Sequence, residues 1–369
     1  MGGACTLASM HVALLTHAFP PAKGGVETFV YTLAHALVQE HGFTVTVITF
    51  TPETLPNEDS LPFRVVRAPD TPILRRYLRA ADVILENSAF LKLIPELLLS
   101  RRPRVRVLHD RQNLAAQRAS TRTRRWAARR VVDARRWWTR AAAQVVAVSA
   151  DVAHGAGVPH AVVIHNGYDD TVFTREISPT DRDPYSLIAV CRLQKEKGTD
   201  LAVRAVRALR DRGIPAHLTV VGDGPELTHL KALAASIRVD TCVRFTGSLD
   251  ASNVNRELNS HSIFVLPSVW DEPFGIAILE AQGAGCAVVA SNIGGIPEAV
   301  GGKGVLFTPG DVEAFIESIA DLMNDPARRL ELIPPLSHMR GRSVTAMSER
   351  YARILSSAAR PSRGAVARR

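Results

Sequence analysis

The sequence has few cysteines, no long apolar run and a deficit of acidic residues. Its 369 residues include four cysteines, and no two of them form a C-x-x-C pair. This spacing argues against a zinc site or a disulfide framework and indicates a reducing compartment. No apolar run approaches the ~20 residues that a membrane span needs, and the mean hydropathy is only +0.03. We therefore expect a cytoplasmic protein rather than an integral membrane protein.

Basic residues outnumber acidic residues by 45 to 36, which gives a net charge of +9. Such a charge indicates acidic partners without saying which ones. Much of the excess lies in the stretch 101–140, which holds fourteen arginines against Asp110 and Asp133. A nucleic acid, an anionic membrane surface and a nucleotide substrate are all compatible with this distribution.

Short β-branched runs alternate with helical patterns along the whole chain. Most of the runs are continuously apolar, as is typical of parallel strands that are buried on both faces. Helical patterns such as Val26–Gln39 and Leu201–Arg212 separate them, so we expect doubly wound α/β sheets. The predicted strands are Val12–Leu15, Thr44–Phe50, Phe63–Arg67, Val83–Glu86, Val105–Leu108, Gln144–Val148, Leu187–Val190, Leu218–Val221, Val243–Phe245, Ile263–Leu266, Ala287–Ala290 and Val305–Phe307.

One polar segment without periodicity interrupts the alternation and divides the chain into two α/β halves. It contains two prolines, and we interpret 171–184 as an interdomain linker. The N-terminal domain would cover 1–170, completed by a C-terminal helix at about 343–357, and the second domain would cover 185–342. The Arg- and Ala-rich tail 358–369 is predicted to be disordered. Because such folds bind ligands beyond the carboxyl ends of their strands, two halves that face each other across a cleft would hold a substrate between them.

Two glutamates, Glu272 and Glu280, stand eight residues apart around the start of a predicted helix, Phe274–Cys286. If the span were helical, it would cover ~12 Å, about the reach from a sugar across a diphosphate to a ribose. The N–H groups of Phe274 and Gly275 would then face a phosphate between the glutamates. Two solvated glutamates that flank a core helix would show the same spacing.

Two cations, Arg192 and Lys197, stand on a predicted strand-exit loop that closes at Gly198. Such a loop can direct two positive charges at one diphosphate, although an exposed charged loop fits the same pattern. The next glycine turn, Val221–Pro225, lacks the third glycine of a dinucleotide-binding fingerprint.

In their order and spacing these motifs resemble those of the retaining nucleotide-sugar glycosyltransferases of family 4, which have the GT-B fold. The resemblance extends over nearly the whole chain. It implies two Rossmann-like doubly wound α/β domains that face each other across a cleft. The other motifs that carry it are Phe19–Glu27, His109-Asp110, Val148-Ser149, His165–Asp169, Phe245–Gly247, Val265–Ser268 and Ser291–Glu298.

The resemblance implies roles for individual residues of the second half. Arg192 and Lys197 match the pair that neutralises the donor diphosphate. Glu280 matches the carboxylate that holds the ribose hydroxyls. Glu272 matches the carboxylate at the donor sugar and is counted, with Arg192 and Lys197, among the candidate catalytic residues.

Further roles follow from the same resemblance. The amides of Phe274 and Gly275 would reach the sugar hydroxyls or the phosphate. Gly24 and Gly25 match a loop whose backbone approaches the diphosphate from the N-terminal domain. His109 matches a catalytic-site histidine near position 6 of the donor sugar, although a histidine satisfied within its own domain would also fit the end of a strand.

The family's mechanism is front-face attack, in which the leaving phosphate accepts the proton of the acceptor. It requires no metal or other cofactor beyond the nucleotide sugar, which is a co-substrate. The only D-x-D sequence, Asp181-Arg-Asp183, lies in the predicted linker and is not expected to hold a metal. An inverting enzyme is the mechanistic alternative, and it would need His17 or Asp110, both on the acceptor side, as its general base.

The substrates are not fixed by these motifs. A uridine diphosphate sugar is favoured over guanosine diphosphate mannose on family frequency, and the acceptor is either a small metabolite or a lipid-linked or polysaccharide precursor. The predicted helix Thr121–Ala143 would dock on an anionic membrane at the inner face or present a solvated arginine surface. A nucleic-acid binder is the competing class of function. Since no recognition fold is evident, no nucleic acid is expected.

Overall fold

The computed structural model describes residues 10–22, 24–88, 90–111 and 122–359, with the backbone alone for 122–129. The chain forms two compact units. The first contains the residues up to Asn166 and those from Val344 onward, and the second is Gly167–Ser343. The last residues of the predicted tail, 360–369, lie outside the described part.

The first unit is a seven-stranded parallel sheet in the order β3-β2-β1-β4-β5-β6-β7. Leu14 in the centre of β1 pairs with Val47 of β2 and with Leu85 of β4, and all three are fully buried. The strands are β1 (His11–Thr16), β2 (Thr44–Thr49), β3 (Arg64–Arg67), β4 (Val83–Asn87), β5 (Arg104–Leu108), β6 (Gln144–Ala147) and β7 (Val162–Val163). The helices are α1 (Gly25–Gln39), α2 (Thr71–Ala80), α3 (Ile94–Ser100), α4 (Arg122–Arg140), α5 (Ala150–Gly155) and, after the second unit, α14 (Val344–Ala359).

The second unit is a six-stranded parallel sheet in the order β10-β9-β8-β11-β12-β13. Its strands are β8 (Ser186–Val190), β9 (His217–Val221), β10 (Val243–Gly247), β11 (Ile263–Leu266), β12 (Ala287–Ser291) and β13 (Val305–Phe307). Its helices are α6 (Thr199–Asp211), α7 (Leu227–Ser236), α8 (Ala251–Asn259), α9 (Ile276–Ala284), α10 (Ile296–Val300), α11 (Val312–Asn324), α12 (Pro326–Glu331) and α13 (Leu336–Arg340).

The prediction of two doubly wound α/β sheets is confirmed, and all twelve predicted strands are present. Helices cover the sheets, and one core of the second unit joins β8, α6, β9 and α11 through buried side chains such as Leu187, Val206 and Phe315. The sequence analysis missed β7, because a two-residue strand has no periodicity to detect. Within the described part of the chain, no helix has the length and apolarity to cross a membrane.

The segment 171–184, predicted to be a linker, belongs to the second unit. Buried Arg182 fixes it there, because its guanidinium donates to the backbone carbonyls of His261 (3.0 Å) and Ala284 (2.6 Å) and to Oδ1 of Asn259 (3.2 Å). A polar segment without periodicity is thus held by side-chain hydrogen bonds to distant elements, which sequence patterns do not show.

Part of the basic stretch 101–140 lies inside the first unit. Arg104 and Arg106 on β5 are buried and form ion pairs with Glu86 of β4, which is fully buried. The guanidinium of Arg104 also lies over the ring of buried Trp138, 3.7 Å from its centroid. These two arginines bind the helix α4 to the sheet, so the surface is less basic than the sequence composition suggested.

Replacement of Arg182 by Met tests its role in the second unit. The substitution leaves several buried carbonyl groups without a donor, and we expect it to lower the free energy of unfolding by about 3 kcal/mol. Arg204→Met, at an exposed position of α6, is the matched control and should cost no more than about 0.5 kcal/mol. Urea denaturation measures both, and equal midpoints for the two variants would contradict this account.

Candidate active site

The strand order of the second unit places two loops side by side. The order reverses between β8 and β11, and the carboxyl ends of the strands at such a switch point form the crevice in which doubly wound folds bind ligands. The loop after β8 carries Arg192 and Lys197, and the loop after β11 carries Ser268 and Glu272. Residues that are 75 positions apart in the sequence therefore meet at one edge of the sheet.

An ion pair joins the two loops, because the Nζ atom of Lys197 donates to Oε1 of Glu272. The Ser268 hydroxyl lies 3.1 Å from the same carboxylate oxygen and 3.0 Å from the backbone carbonyl of Glu196. The Glu272 side chain is only 8% exposed, so its charge is removed from water and depends on these partners. The structure thus brings together two of the predicted residues, Lys197 and Glu272.

Glycines permit this close packing. Gly198 has a φ of +63°, and a Cβ atom built on it would lie 2.0 Å from the carbonyl oxygen of Pro267 in the β11 loop. At Gly222, with a φ of +137°, a Cβ would lie 1.9 Å from the carbonyl oxygen of Cys191. Only glycine fits both the backbone conformation and the space at these positions. The Gly198 and Gly222 turns noted in the sequence therefore pack the loops that follow β8, β9 and β11.

Arg192 lies on the same loop as Lys197 but has a different environment. Its side chain is exposed, whereas the Lys197 side chain is 23% exposed and bonded to Glu272. The shared loop keeps both cations at the carboxyl end of β8. Their joint action on one diphosphate stays a prediction.

The helix α9 is shorter than predicted at both ends. It begins at Ile276 because Gly275 adopts a left-handed conformation with a φ of +103°, and it ends at Ala284, before left-handed Gly285. The predicted span Phe274–Cys286 was therefore wrong by two residues at each end, since the glycines at both termini cap the helix. The side chain of Phe274 is buried in the core.

Glu280, on the second turn of α9, is half-buried. Burial raises the pKa of Glu280 to about 7, and the negative charge of Asp169 contributes in the same direction. Asp169 itself accepts hydrogen bonds from the backbone and hydroxyl of Thr171. The sequence analysis noted Asp169 only as the last residue of the motif His165–Asp169 and did not predict that it would act on Glu280.

In the first unit a cavity of about 180 Å³ lies where β4 and β5 end. The candidate residues His17, His109 and Asp110 all line it, together with Ser88, Val107, Leu108 and Arg135. The imidazole of His17 stacks on the ring of Phe90, with centroids 4.0 Å apart. Gly24 is the N-terminal cap of α1 and Gly25 its first residue, and their predicted approach to a diphosphate stays a prediction.

His109 is held by a hydrogen bond between its Nε2 atom and Oδ1 of Asn87, and its ring packs edge-on against Phe29 at 4.7 Å. Burial lowers the pKa of His109 to about 4, so the imidazole is neutral near pH 7. Sequence reasoning missed Asn87. The available signal was a polar residue at the carboxyl end of a buried strand, the position at which doubly wound folds place functional side chains.

Comparisons with known proteins agree with this architecture. The family model described as Glycosyltransferase Family 4 matches residues 23–172, and the model described as Glycosyl transferases group 1 matches residues 170–334. Among solved structures, HepE of Anabaena in complex with UDP and glucose superposes with a TM-score of 0.76 at 21% identity, covering 94% of this chain and 100% of that one. WaaG, a glycosyltransferase involved in lipopolysaccharide biosynthesis, superposes with a TM-score of 0.72 at 17% identity over 94% of this chain and 99% of its own.

Two curated relatives illustrate the range of similarity. A GDP-mannose-dependent alpha-(1-6)-phosphatidylinositol monomannoside mannosyltransferase of Mycolicibacterium smegmatis is 29% identical, covering 85% of this chain and 90% of its own length. The glycogen synthase of Mycobacterium tuberculosis is 37% identical over 175 residues, which are 47% of this chain and only 42% of the synthase. With two Rossmann-like units, each matched by one of the two family models, the chain belongs to the GT-B glycosyltransferases of the family 4-like group.

Proposed function

We propose that this protein is a retaining glycosyltransferase that moves a sugar from a nucleotide diphosphate donor to an acceptor hydroxyl. The observation that carries the proposal is the ion pair between Lys197 and Glu272 at the switch point between β8 and β11. A cation and a carboxylate at that position provide one group for a phosphate and another for sugar hydroxyls. The donor would occupy the crevice at the carboxyl ends of these strands.

Charge separation explains why cations are needed there. When the bond between the sugar and the phosphate breaks, negative charge develops on the nucleotide and positive charge on the sugar ring. Arg192 and Lys197 would stabilise the leaving diphosphate, and Glu272, freed in part from Lys197, would accept hydrogen bonds from the sugar. The leaving phosphate would take the proton of the attacking acceptor hydroxyl on the same face, so that the anomeric configuration is retained.

Glu280 would hold the ribose of the donor. An ionised carboxylate accepts hydrogen bonds from two vicinal hydroxyl groups, and Glu280 lies four residues after the start of α9. Because its pKa is raised to about 7, Glu280 is partly protonated near neutral pH. Ribose hydroxyls that donate hydrogen bonds to the ionised form would favour loss of this proton.

A uridine diphosphate sugar is the favoured donor. Its support is the structural similarity to HepE, which was solved with UDP and glucose and with UDP-glucose. The GDP-mannose-dependent mannosyltransferase of Mycolicibacterium smegmatis makes GDP-mannose the second choice. Both remain proposals for this chain.

The proposed transfer requires no metal ion, since two cationic side chains take the place of a divalent ion at the diphosphate. The D-x-D sequence gives little support to the alternative, a bound metal ion. Oδ1 of Asp181 accepts a hydrogen bond from Thr180, and Oδ1 of Asp183 accepts one from the backbone of Tyr185. Both aspartates are thus engaged in local turns.

The acceptor is either a small metabolite or a lipid-linked or polysaccharide precursor. For a lipid-linked acceptor, α4 would contact an anionic membrane surface, and Trp137 and Val131 on this helix are 62% and 43% exposed. The alternative is an arginine face that is simply solvated. The relative that acts on phosphatidylinositol monomannoside supports the lipid-linked choice.

Four substitutions should separate the roles of the site residues. Arg192→Ala and Lys197→Ala each remove a cation from a group whose charge grows during the reaction, so kcat should fall about a hundredfold with a smaller effect on the donor KM. Glu280→Ala should weaken binding of the free nucleoside diphosphate, whereas Glu272→Gln should spare that binding and impair use of the intact donor.

Steady-state kinetics and calorimetric titration with UDP measure these effects. The matched control is Lys195→Ala, which removes an exposed cation from the same loop and should leave kcat nearly unchanged. Normal UDP binding by Glu280→Ala, combined with lost binding by Glu272→Gln, would mean that the donor lies along α9 in the opposite direction.

The affinity for UDP should rise with pH around neutrality because of Glu280. Its carboxyl has a pKa raised to about 7 in the free protein, so the group is mostly protonated at pH 6 and mostly ionised at pH 8. If ribose binds the ionised form, this group alone should make UDP binding about tenfold tighter at pH 8 than at pH 6. The phosphates of UDP also titrate, but their contribution to the pH dependence is the same for the wild type and for Glu280→Gln. Titration calorimetry of both proteins isolates the difference, and parallel pH profiles would rule out this role.

The anomeric configuration of the product tests retention. With α-linked UDP-glucose, UDP-galactose and GDP-mannose offered in turn, we expect an α-linked product, which the one-bond carbon–proton coupling at the new anomeric centre identifies. A β-linked product would instead support the inverting alternative, with His17 or Asp110 as general base, since both line the cavity of the first unit.

The metal-independent scheme is tested with a chelator. Transfer should persist in excess chelator. Activity that is lost in chelator and restored by manganese would contradict the scheme.

A further inference from the structure

A chain of hydrogen bonds in the first unit runs from the backbone after β1 to the imidazole of His109. The hydroxyl of Thr16 donates to the carbonyl of Ala18 (2.9 Å), and Nδ2 of Asn87 donates to the Thr16 oxygen (3.1 Å). Oδ1 of Asn87 then faces Nε2 of His109 within hydrogen-bond distance. Thr16 and Asn87 are buried, at 0% and 1% exposure, so water does not compete for these groups.

The donor-to-acceptor direction of these hydrogen bonds determines which nitrogen of His109 carries the proton. Because the Thr16 hydrogen is used toward Ala18, the Thr16 oxygen can only accept, and the Asn87 amide must present its NH₂ group to it. The amide oxygen of Asn87 therefore faces His109, and a carbonyl oxygen accepts but never donates. A neutral imidazole has one N–H group, so the proton lies on Nε2 and Nδ1 offers a lone pair.

A contact between β4 and β5 holds the Asn87 end of this arrangement in place. The backbone N–H of Ser88, the residue after Asn87, donates to the carbonyl of Val107 in β5 (3.2 Å), and Ser88 has an unusual positive φ of +93°. This contact fixes the end of β4 against the strand that leads to His109. A positive φ at a serine is uncommon and costs free energy, so the surrounding contacts have to hold it.

His109 lines the 180 Å³ cavity of the first unit, and titratable or charged groups from other elements line it as well. His17 follows β1, Asp110 follows β5 and Arg135 lies on α4. The hydrogen bonds that set the His109 tautomer are those of Thr16, Ala18 and Asn87. Burial keeps the imidazole neutral, with its pKa lowered to about 4.

We propose that Asn87, oriented by Thr16, is a positioning residue that locks His109 in the Nε2–H tautomer, so that Nδ1 accepts a hydrogen bond from a sugar hydroxyl. The nature of that hydroxyl rests on the proposed glycosyltransferase function. The tautomer does not, because it is set within the protein alone. Asn87 thus acts through His109 and does not itself touch substrate.

Long-range ¹H–¹⁵N spectra of the full chain labelled on histidine read the tautomer directly, without substrate. The His109 signals are assigned by their loss in His109→Gln. In the wild type we expect a single neutral Nε2–H form from pH 8 to pH 5.5. Asn87→Leu removes the acceptor at similar volume, and we expect a mixture of both tautomers with a kcat about tenfold lower and a smaller change in donor KM.

Two further variants keep the test decisive if Asn87→Leu does not fold. Asn87→Asp keeps an acceptor but places a negative charge beside the ring, so it should raise the pKa of His109 and move the acidic limb of the kcat profile to higher pH. Thr16→Val frees the Asn87 amide to rotate and should admit the second tautomer, whereas Thr16→Ser keeps the hydroxyl and should keep the wild-type tautomer.

The spectra also separate this inference from the proposed function. An Nδ1–H form or a mixture in the wild type, or an unchanged single tautomer in Asn87→Leu and Thr16→Val, overturns the role of Asn87 whatever the activity. The expected tautomers in a protein that transfers no sugar would instead leave Asn87 as the residue that sets His109 and would reject the glycosyltransferase assignment.

Discussion

The parallel direction of every strand is the constraint on which the rest of this structure depends. Parallel strands need helical crossovers, so each sheet is covered by helices and every strand ends at the same edge. The strand order reverses between β1 and β4 in the first unit and between β8 and β11 in the second. The candidate residues Lys197, Glu272, His17 and His109 all lie on loops or strand ends at these edges. The fold thus collects polar groups that are distant in sequence at one edge of each sheet.

Electrostatic pairing decides which of these polar groups can be buried. Glu272 is tolerated at the sheet edge because Lys197 and Ser268 bond its carboxylate. At Glu280, by contrast, burial and the negative charge of Asp169 raise the pKa to about 7. The two glutamates at the start of one helix therefore differ in their surroundings. The Glu272 carboxylate bonds to a cation, whereas the Glu280 carboxyl has a raised pKa and would change its charge when a ligand binds.

The same balance operates in the first unit with histidine and arginine. Burial keeps His109 neutral, and Asn87 supplies the acceptor that it needs. Arg104 and Arg106 remain in the interior because Glu86 and the ring of Trp138 lie against them. Removing one member of such a buried set leaves an unpaired charge, which is far more costly than losing a surface ion pair.

The sequence by itself determined the two α/β sheets, because continuous apolar runs of parallel strands are a local property that composition and spacing reveal. It also singled out Arg192, Lys197, Glu272 and Glu280 as candidate site residues, through loop motifs and their resemblance to a known family. It could not show that Lys197 bonds to Glu272, that Asp169 influences Glu280, that Asn87 holds His109, or that Arg182 anchors the segment 171–184 in the second unit. Each of these contacts joins residues far apart in the chain, and only the packing of strands and helices decides which distant side chains meet and which are removed from water.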